Sequence, residues 1–559
     1  MTPSMPGSVS PTCRAPLLLL ALVALLLAPP PTEAAQCANT GAAALSPEPV
    51  ISGWGYDEKN QRFIAPSRAA ITPGNLPRLT LQWVFALPDT KAARAVPLIT
   101  TNAVVIADED GSVYALDRAT GCEHWRFDAG AMVRTALRHI AHKGKDLLVF
   151  GTFAGELISL DLSSGKELWR SRLADHAYAM LSGSAVDHGG VIYQPVSSYE
   201  LFVSVNPFYG CCTFRGALVA VSADDGRILW RTHTIEQTPR VTNKRLLLPD
   251  QRGPSGAPVW SQPTLDLERQ RVYVGTGENY SNPATETSDA IIAFDMHSGQ
   301  RLWVRQFLQD DVWNLACLSD LHPNCPDDPG EDLDFGAPPI LASVGGRDYL
   351  LAGQKNAQIY ALDPAADGKL LWTARAGSGG KAGGIHFAMA VDEQRGVLYV
   401  PVSDRPLGKW IGDSFNGTPN PSLQAYDITT GERLWSTAAP GRCLDARQRE
   451  IDGCHPGFSA APTASGDLVY APTLDGVIRV FDAANGKQLW SFDTYGEFAA
   501  VNDATARGGA IDVGGVQVAG GQLFVLSGYG QFGQMPGNAF MVFAVAPPND
   551  SVQAGPGER

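Results

Sequence analysis

Apolar and polar positions alternate in short runs along this chain, and the runs come in pairs joined by a tight turn. In IRVFDAANGKQLWSF at Ile478–Phe492, an apolar strand leads into Asp482, the turn ends at Gly486, and a second strand reaches Trp490. An Asp before a turn accepts hydrogen bonds from the backbone amides that follow it, and Gly supplies the positive φ that closes the turn. The pattern predicts a β-hairpin whose second strand carries a Trp.

The same hairpin pattern occurs seven times in the sequence. The other copies are VYALDRATGCEHWRF (Val113–Phe127), LISLDLSSGKELWRS (Leu157–Ser171), LVAVSADDGRILWRT (Leu218–Thr232), IIAFDMHSGQRLWVR (Ile291–Arg305), IYALDPAADGKLLWTA (Ile359–Ala374) and LQAYDITTGERLWST (Leu423–Thr437). The Ile359–Ala374 copy has one additional turn residue. A Trp that packs on the neighbouring copy buries roughly 150–250 Å². A repeat of this kind, with a period above ~40 residues, predicts a propeller or an array.

One strand outside the hairpin copies completes the count of blades. LTLQWVFAL, with Trp83, lies 42 residues before Trp125, whereas the last strands, QLFVLSGYG and FMVFAVA, are not followed by a Trp. Pairing the first strand with the last closes the ring, supplies the missing Trp and removes both open sheet edges. The sequence therefore predicts an all-β fold, an eight-bladed β-propeller in which the N- and C-terminal strands share a blade.

The later blades are longer than a propeller requires. Spacings between successive Trp residues grow from 42 and 44 residues to between 55 and 73. Four strands with short turns need only ~40–45 residues, so these blades carry long loops. Loops held by a rigid scaffold are the usual place for binding and catalysis, and we expect the functional residues there.

The two ends of the chain do not fit the repeat. Arg14 precedes the apolar run Leu17–Ala28, and small residues follow it, as in a secretory signal. The run is too short to cross a membrane, and no later stretch approaches the ~18 apolar residues of a membrane span. We predict a signal peptide over 1–35, the propeller over 36–548 and a disordered tail over 549–559, in a soluble periplasmic protein.

The cysteine content agrees with export to an oxidising compartment. Of nine cysteines, Cys13 belongs to the signal segment, which leaves an even number. Proximity and elimination suggest the pairs Cys317–Cys325, Cys443–Cys454, the adjacent Cys211–Cys212, and Cys37–Cys122. The sequence leaves other connectivities open.

The charge of the chain limits its partners. The net charge is −14, and no cluster of Lys or Arg stands out. Nucleic acids and anionic lipid surfaces attract positive charge, so the composition argues against both as partners. An acidic surface is compatible with a basic electron-transfer partner.

Motifs outside the hairpins follow one another in a defined order. They are GWGYDEKNQRF (Gly53–Phe63), ITPGNLPRLTLQW (Ile71–Trp83), VYVGTGENYSNP (Val272–Pro283), QDDVWNLAC (Gln309–Cys317) and GQKNAQIYALD (Gly353–Asp363). Together with the repeat, they resemble the quinoprotein alcohol dehydrogenases, which depend on pyrroloquinoline quinone (PQQ). The motifs CCTFRG, GTGENYS, NCP, DFGAPPIL and GGIHFAMA are most similar to the polyvinyl alcohol dehydrogenase branch. The resemblance covers essentially the whole mature chain.

The resemblance implies oxidation of a secondary or polymeric alcohol. A Ca²⁺ ion beside PQQ would polarise the reactive carbonyl, a carboxylate would take the hydroxyl proton, and hydride would pass to the quinone. The sequence contains no C-x-x-C-H, so no c-type haem is attached to this chain. Electrons would therefore pass to an external c-type cytochrome.

The resemblance also implies a catalytic base. QDDVWNLAC resembles the D-x-W element that carries the base in the family, which makes Asp311 the expected base. The neighbouring Asp310 is the alternative, because two adjacent acids on one loop point in different directions.

Three cations are expected to contact the cofactor. Lys355 resembles the Lys that reaches the quinone, since a cation there hydrogen-bonds quinone and carboxylate oxygens. Arg134 in MVRTAL and Arg215 in CCTFRG are candidates to pair with the cofactor carboxylates, which suit the planar guanidinium fork. Either Arg could instead brace a loop through backbone carbonyls.

Four further residues are candidates for contact with the quinone ring. Adjacent cysteines joined to each other form a flat, polarisable surface, and family members carry such a pair, so Cys211 and Cys212 are expected to stack on one face. Trp260 is the candidate for the opposite face, with core packing as the alternative. His386 in GGIHFAMA stands at or beside a family Asn that contacts the quinone.

Metal ligation is where the sequence departs most from the family. Where the family has Asn in G-T-G-N, this chain has Glu278 followed by Asn279, and both are candidate ligands. Cys211 falls near the position of a family Glu that binds Ca²⁺, and Glu200 is a candidate replacement for it. Carboxylate oxygens are the ligands that Ca²⁺ prefers.

Two other functions remain open from the sequence. The same repeat builds cofactor-free propellers that act as scaffolds or binding proteins in the periplasm, such as the outer-membrane assembly lipoprotein. A degenerate quinoprotein that binds a sugar or a polymer without turnover is the other alternative. No G-x-G-x-x-G in a βαβ setting, P-loop or H-E-x-x-H occurs, which excludes nicotinamide, nucleotide and zinc-protease chemistry.

Overall fold

A computed structural model describes residues 36–37, 43–319, 321–406, 417–441, 443–445 and 447–547. The predicted signal peptide over 1–35 and the predicted tail over 549–559 lie outside these residues. Within the part described, no helix has the length and apolar character needed to cross a membrane.

The strands of the described residues form eight antiparallel blades around a ring. The first four, each given from its inner strand outwards, are blade 1 (Leu98–Thr100, Ala103–Ala107, Ser112–Asp117, Glu123–Asp128, with Pro49–Ile51 added at the inner edge), blade 2 (Arg138–His142, Lys145–Gly151, Glu156–Asp161, Glu167–Arg172), blade 3 (Val186–His188 and Ala179–Met180, Val191–Ser198, Ala217–Ser222, Ile228–His233) and blade 4 (Thr264–Asp266, Arg271–Gly275, Ala290–Asp295, Arg301–Gln306).

The other four blades have the same order. They are blade 5 (Ile340–Val344, Arg347–Gly353, Gln358–Asp363, Lys369–Arg375), blade 6 (Ala390–Asp392, Val397–Val402, Ser422–Asp427, Arg433–Ala438), blade 7 (Thr463–Ser465, Leu468–Tyr470, Val477–Asp482, Gln488–Asp493) and blade 8 (Val516–Ala519, Gln522–Ser527, Ala539–Val545, Leu79–Ala86). The predicted eight-bladed propeller is therefore confirmed.

Blade 8 closes the ring as predicted. Its outer strand, Leu79–Ala86, pairs antiparallel with Ala539–Val545, and Trp83 lies opposite Val542. The closure joins residues more than 450 positions apart in sequence, so neither terminal strand leaves an unpaired edge at this junction.

Seven blade Trp residues, Trp83 and six of the seven hairpin Trp residues, each pack on the turn of the next hairpin. Seven turn glycines have φ between 69° and 75°, and a Cβ added to any of them would lie only 2.5–2.8 Å from the preceding Trp ring. The pairs are Trp83/Gly121, Trp125/Gly165, Trp169/Gly226, Trp230/Gly299, Trp303/Gly368, Trp372/Gly431 and Trp435/Gly486. Glycine is therefore required at these positions for two reasons: the backbone has a positive φ, and the Trp ring leaves no room for a Cβ.

The indole nitrogens distinguish one junction from the others. Trp83 Nε1 donates to the carbonyl of Arg118 at 3.2 Å, and five other docked Trp residues make the equivalent bond. Trp303 Nε1 has no partner among the described residues, because the following hairpin is the copy with the additional turn residue.

We expect Trp83→Phe to lower the free energy of unfolding by about 1–2 kcal/mol more than Trp303→Phe. Both rings are buried, at 6% and 7% exposure, so the loss of ring size is matched. Only the first substitution removes an indole hydrogen bond, after which the Arg118 carbonyl keeps only a longer bond from Gln522 at 3.4 Å. Equilibrium unfolding in urea of the two variants measures the difference. Equal losses would show that the indole hydrogen bond contributes nothing to blade docking.

The predicted disulfide pairing is confirmed. The bonds are Cys37–Cys122, Cys211–Cys212, Cys317–Cys325 and Cys443–Cys454. The Cys37–Cys122 bond ties the N-terminal arm to blade 1, and the bonds in the 317–325 and 443–454 segments close long loops.

Short elements lie in the connections between the blades. They are the helices Pro66–Ala69 and Glu200–Val203, the 3₁₀ turns Leu76–Arg78, Leu315–Leu318 and Pro364–Ala366, and the ribbons Arg240–Asn243/Gln251–Gly253, Ser255–Gly256/Asn279–Ser281 and Gly496–Ala499/Thr505–Gly508. Several belong to the long connections within and after blades 3 and 4, where the sequence predicts function.

Candidate active site

Each blade has one residue that lies four positions before the first residue of its inner strand, and these eight residues are equivalent in the repeat. The eight residues are Arg94, Arg134, Ser182, Trp260, Gly336, His386, Ser459 and Asp512. The first six line one cavity of about 550 Å³ at an end of the propeller. Because the repeat places this position identically in every blade, side chains that are distant in sequence meet in one cavity.

Loops from blades 3 to 5 complete the cavity wall. Glu278 follows the second strand of blade 4, and Lys355 follows the second strand of blade 5. Asp332 and Asp334 come from the long connection between these two blades, and Trp313 comes from the same connection. Acids, a lysine and aromatic rings therefore face a single space.

An ammonium holds two of these acids. Lys355 Nζ donates to Asp334 Oδ2 at 2.6 Å and to Asp332 Oδ1 at 2.9 Å, and all three side chains are largely buried. Asp334 Oδ1 also accepts the backbone N–H of Glu278 at 2.9 Å. Burial opposes ionisation of Asp334, but Lys355 outweighs it and the pKa of Asp334 lies below its usual value. Burial raises the pKa of Asp332 to about 7 despite the same ammonium.

Glu278 contributes an oxygen that has no partner. Its side chain is 1% exposed, and Oε2 makes no hydrogen bond among the described residues. Burial, and then the charge of Asp334, raise the pKa of Glu278 well above its usual value. Oxygens of Glu278, Asp332 and Asp334 all lie within 4.8 Å of one another. Such a set of buried carboxylate oxygens suits a hard divalent cation.

The expected base, Asp311, does not face the cavity. It is fully buried, and its two carboxylate oxygens accept the backbone N–H groups of Asp332 at 3.1 Å and Leu333 at 3.0 Å. These bonds hold the segment that carries Asp332 and Asp334, in which Asp332 has a φ of 58°. The role of Asp311 as the base stays a prediction. The alternative, Asp310, is exposed on the same loop and does not line the cavity.

Arg215 and the adjacent cysteines do not line the cavity, and their predicted contacts with the cofactor stay predictions. Arg215 donates to the carbonyls of Ile235 and Glu236, so it braces a loop away from the cavity. Cys211 and Cys212 are buried and do not line the cavity. They pack instead in an apolar cluster with Trp313, whose ring forms part of the wall.

Two predicted metal ligands are occupied by other contacts. Glu200 accepts the hydroxyl of Tyr209 at 2.5 Å and the backbone N–H groups of Thr213 and Phe214, so it holds the segment around the two cysteines. The Asn279 amide bonds Thr285 and the carbonyl of Ser255. Neither side chain reaches the acid cluster, because backbone groups nearby take up their polar atoms.

Four predicted cofactor contacts do line the cavity, and their roles remain predictions. They are Lys355, Arg134, Trp260 and His386. Burial lowers the pKa of His386 to about 3, so the ring is neutral, and its Nδ1 lies 3.2 Å from Ser459 Oγ. A Cβ on Gly277 would lie 2.4 Å from Asp334 Oδ1 and 2.6 Å from Trp260 Nε1. The Asp334 carboxylate and the Trp260 indole therefore border the same glycine.

Sequence reasoning missed four charged residues of the cavity, Asp332, Asp334, Arg94 and Lys381. Asp332 and Asp334 belong to the segment EDLDFGAPPIL, part of which was noted only as a mark of resemblance. Arg94 lies on blade 1 at the position that Arg134 occupies on blade 2. That shared distance from the inner strand is visible in the sequence once the strands are aligned, and it would have found Arg94.

Arg94 and Arg134 form a positive wall. Arg94 is 5% exposed, and its guanidinium lies over the Tyr529 ring, while that of Arg134 lies over Phe387. Among the described residues neither guanidinium hydrogen-bonds a carboxylate, and Arg94 Nε has no partner. Burial lowers the pKa of Arg94, and the neighbouring charge of Arg134 lowers it further. Two like charges beside each other in a largely buried wall favour an anion between them.

Two family models and several curated proteins match this chain. The model of the glucose/ethanol/alcohol dehydrogenase β-propeller domain (PQQ) matches residues 52–319, and that of the outer membrane protein assembly factor BamB matches residues 287–535. A polyvinylalcohol dehydrogenase of Pseudomonas sp. is 34% identical over 88% of this chain and 76% of its own length. A polyvinylalcohol dehydrogenase of Sphingopyxis sp. (strain 113P3) is 35% identical over 89% of this chain and 76% of its own length.

A solved structure extends the likeness to the fold. The quinohemoprotein alcohol dehydrogenase from Comamonas testosteroni has a TM-score of 0.60 at 19% identity, over 92% of this chain and 83% of that one. At this identity the likeness concerns the propeller and its order of blades.

Proposed function

The chain belongs to the family of PQQ-dependent quinoprotein alcohol dehydrogenases, and from this we propose that it oxidises the secondary hydroxyl groups of a polyvinyl alcohol-like polymer to ketones. One observation carries the proposal. A single cavity presents a cluster of three acids with a lysine and, in the same wall, two guanidinium groups. The family membership and the polyvinylalcohol dehydrogenases among the relatives support the substrate class.

The cavity residues fit PQQ, which is planar and carries three carboxylates. Arg94 and Arg134 offer guanidinium groups without carboxylate partners. The rings of Trp260, Trp313 and Phe387 offer flat apolar surfaces in the same wall. We assign Arg94 and Arg134 to the carboxylates of PQQ, and the three aromatic rings to the faces of the planar cofactor.

The acid cluster fits Ca²⁺. Glu278 Oε2 is buried without a partner, and a metal ion would remove that cost. We assign Glu278 and Asp332 as the residues that hold the ion, with Asp334 beside them. Among the described residues, Lys355 is the only cation that pairs with these acids, and a bound ion would add further positive charge beside them.

The protein side of the reaction follows from how Asp334 is held. Lys355 and the Glu278 amide fix both of its oxygens and keep it ionised. We propose that Asp334 accepts the proton of the substrate hydroxyl as the carbinol carbon loses hydride, which leaves a ketone. PQQ, when bound, supplies the acceptor for that hydride. Trp260 and Trp313 keep water from the reacting carbon.

We place the enzyme in the periplasm, with a separate c-type cytochrome as electron acceptor. The four disulfides require an oxidising compartment. The sequence of residues 1–35 has the features of a secretory signal. The scaffold alternative draws support from the second family model, but it gives no role to the buried acids and guanidinium groups.

The test is reconstitution. Purified protein would be supplied with PQQ and Ca²⁺, and dye reduction followed with polyvinyl alcohol and with 2,4-pentanediol, which carries the same 1,3-diol spacing. We expect reduction that requires both additions, stops on chelation and returns with Ca²⁺. No reduction with any alcohol, and no change in the absorbance of added PQQ, would contradict the proposed function.

Arg94→Gln is expected to weaken PQQ binding about 10–100-fold, because a charge-assisted hydrogen bond to a buried carboxylate contributes roughly 1.5–3 kcal/mol. Titration of PQQ into the protein, followed by quenching of Trp fluorescence, measures affinity without turnover. Arg215→Gln is the matched control, since that guanidinium bonds carbonyls outside the cavity. Equal affinities for the Arg94 variant and the wild type would remove Arg94 from the cofactor site.

A further inference from the structure

The large apolar side chains that this protein exposes fall into two groups. One group follows from the repeat, because it occupies outer strands next to the docking Trp. Its members are Leu168, Ile228, Leu229, Leu302, Leu370, Leu434 and Leu489. The repeat does not explain the second group. Nine of its members lie in three loop segments and are Tyr199, Phe202, Val205, Phe208, Val241, Leu246, Leu247, Leu318 and Leu321.

The three segments contact one another. Ala316 N donates to Ser204 Oγ at 3.0 Å, and the amide nitrogen of Asn324 donates to the carbonyls of Ser204, Asn206 and Tyr209. The described residues of the disulfide loop, 317–319 and 321–325, therefore lie against the segment 199–209.

The third segment is bound to the same loop. Arg245 donates to the carbonyl of Pro323 at 2.7 Å and to Asn324 Oδ1 at 3.1 Å, and Gln251 also bonds Pro323. The ribbon 240–253 therefore also lies against this loop. The nine exposed side chains therefore belong to one assembled region, which we call the mouth patch.

The mouth patch continues into the cavity. Tyr199, Phe202 and Leu318 belong to it and also line the cavity that holds the acid cluster. Phe208, which is 72% exposed, and Leu321, which is 94% exposed, belong to the patch but do not line the cavity. Contiguous exposed apolar surface of this kind marks a binding surface in a soluble protein.

We propose that the mouth patch binds the repeat units of the polymer that flank the unit being oxidised. This inference rests on the proposed function, since it concerns the same substrate. The ligand is an uncharged chain with a hydrocarbon backbone and a hydroxyl on every second carbon. Its methylene groups pack on the leucine and aromatic side chains, and its hydroxyls stay in water.

Continuity with the cavity favours this occupant. A unit in the cavity is covalently joined to its neighbours, so the patch meets them at a high effective concentration. Several weak apolar contacts then hold the chain while one unit reacts. A short alcohol fills the cavity alone and gains nothing from the patch, so chain length is the property that the patch detects.

The test compares a polymer with a short diol. In Phe208→Ser/Leu321→Ser, we expect kcat/KM for polyvinyl alcohol to fall roughly tenfold, while kcat/KM for 2,4-pentanediol stays within about twofold of wild type. The control is Leu302→Ser/Leu434→Ser, which removes two leucines that are 43% and 51% exposed on the outer strands of blades 4 and 6. The control is expected to match the wild type on both substrates.

Direct binding separates this inference from the proposed function. Polyvinyl alcohol binding to the protein is measured by isothermal titration calorimetry, which needs no turnover. If the wild type binds the polymer and the mouth variant does not, the patch is a polymer site even when no alcohol is oxidised. Three results would overturn the proposal that the mouth patch binds the polymer. They are equal polymer binding by the wild type and the mouth variant, a loss of kcat/KM for 2,4-pentanediol equal to that for the polymer, and a rise only in the KM for the electron acceptor. The last result would assign the patch to the acceptor.

Discussion

Asp334→Asn is expected to lower kcat by about 10³-fold, the range of a general base that acts in the transition state. The amide has nearly the same shape but only one acceptor oxygen, so it can keep the bond from Lys355 or the bond from the Glu278 amide, and it cannot take the hydroxyl proton. PQQ binding, followed by Trp fluorescence, is expected to stay within a few-fold of wild type, because Arg94 and Arg134 remain in place. Steady-state dye reduction with 2,4-pentanediol measures the loss.

Two neighbouring substitutions make this prediction specific. Asp332→Asn is expected to cost less in kcat and to raise the Ca²⁺ concentration needed for half-maximal activity, since Asp332 is assigned to the ion. Asp311→Asn is expected to act on structure, because its carboxylate accepts two backbone N–H groups and the Asn amide group offers only one acceptor oxygen. A larger kcat loss for Asp332→Asn than for Asp334→Asn would move the base to Asp332.

Lys355→Met is expected to destabilise the protein by about 3–5 kcal/mol near neutral pH, because it leaves buried carboxylates without their cation. Burial favours the neutral amine, but Asp332 and Asp334 outweigh it and raise the pKa of Lys355, so the ammonium is charged throughout the working range. Turnover is expected to be lost as well, since Asp334 loses the donor that orients it.

The loss of stability in Lys355→Met is expected to depend on pH in a defined direction. Without the ammonium, the pKa values of the two acids rise in the folded state, so folding takes up protons and stability increases as the pH falls. The deficit of Lys355→Met in urea unfolding is therefore expected to be smaller at about pH 5 than at about pH 8. Lys59→Met, which removes a partly exposed pair with Glu393 at 4.0 Å, is expected to change stability by at most about 1 kcal/mol at either pH. A deficit independent of pH would mean that unpaired acids are not its cause.

The repeat made the architecture predictable from the sequence. Asp482, Gly486 and Trp490 act within one hairpin and its neighbour, and such short-range chemistry is readable from local pattern. Counting the copies and adding Trp83 was enough to predict eight blades and a shared terminal blade. The Trp–glycine contacts were predictable in kind, and only the structure showed that Trp303 lacks the hydrogen bond of its counterparts.

The candidate site was predictable only in part. Lys355, Arg134, Trp260, His386 and Glu278 were named from the sequence, and all five line the cavity. These residues stand at defined distances from repeat strands, so the repeat itself orients them.

Asp311 shows where sequence reasoning reached its limit. Asp311, Asp332 and Asp334 lie in one long connection, and each is an acid near a motif of the family. The fold of that connection turns Asp311 inward onto backbone amides and turns the other two acids toward Lys355. No periodicity governs a loop of this length, so the direction of each side chain depends on contacts with distant residues.

By itself, the sequence determined the all-β propeller, the number of its blades and the family, because these depend on repeated local patterns and on motif order. The tertiary structure alone decided which acids share Lys355, which arginines face the cavity, and where the apolar loop residues gather at its mouth. Those outcomes depend on non-repeating loops that pack against one another across blades, and the energy of such packing is not written in any single segment.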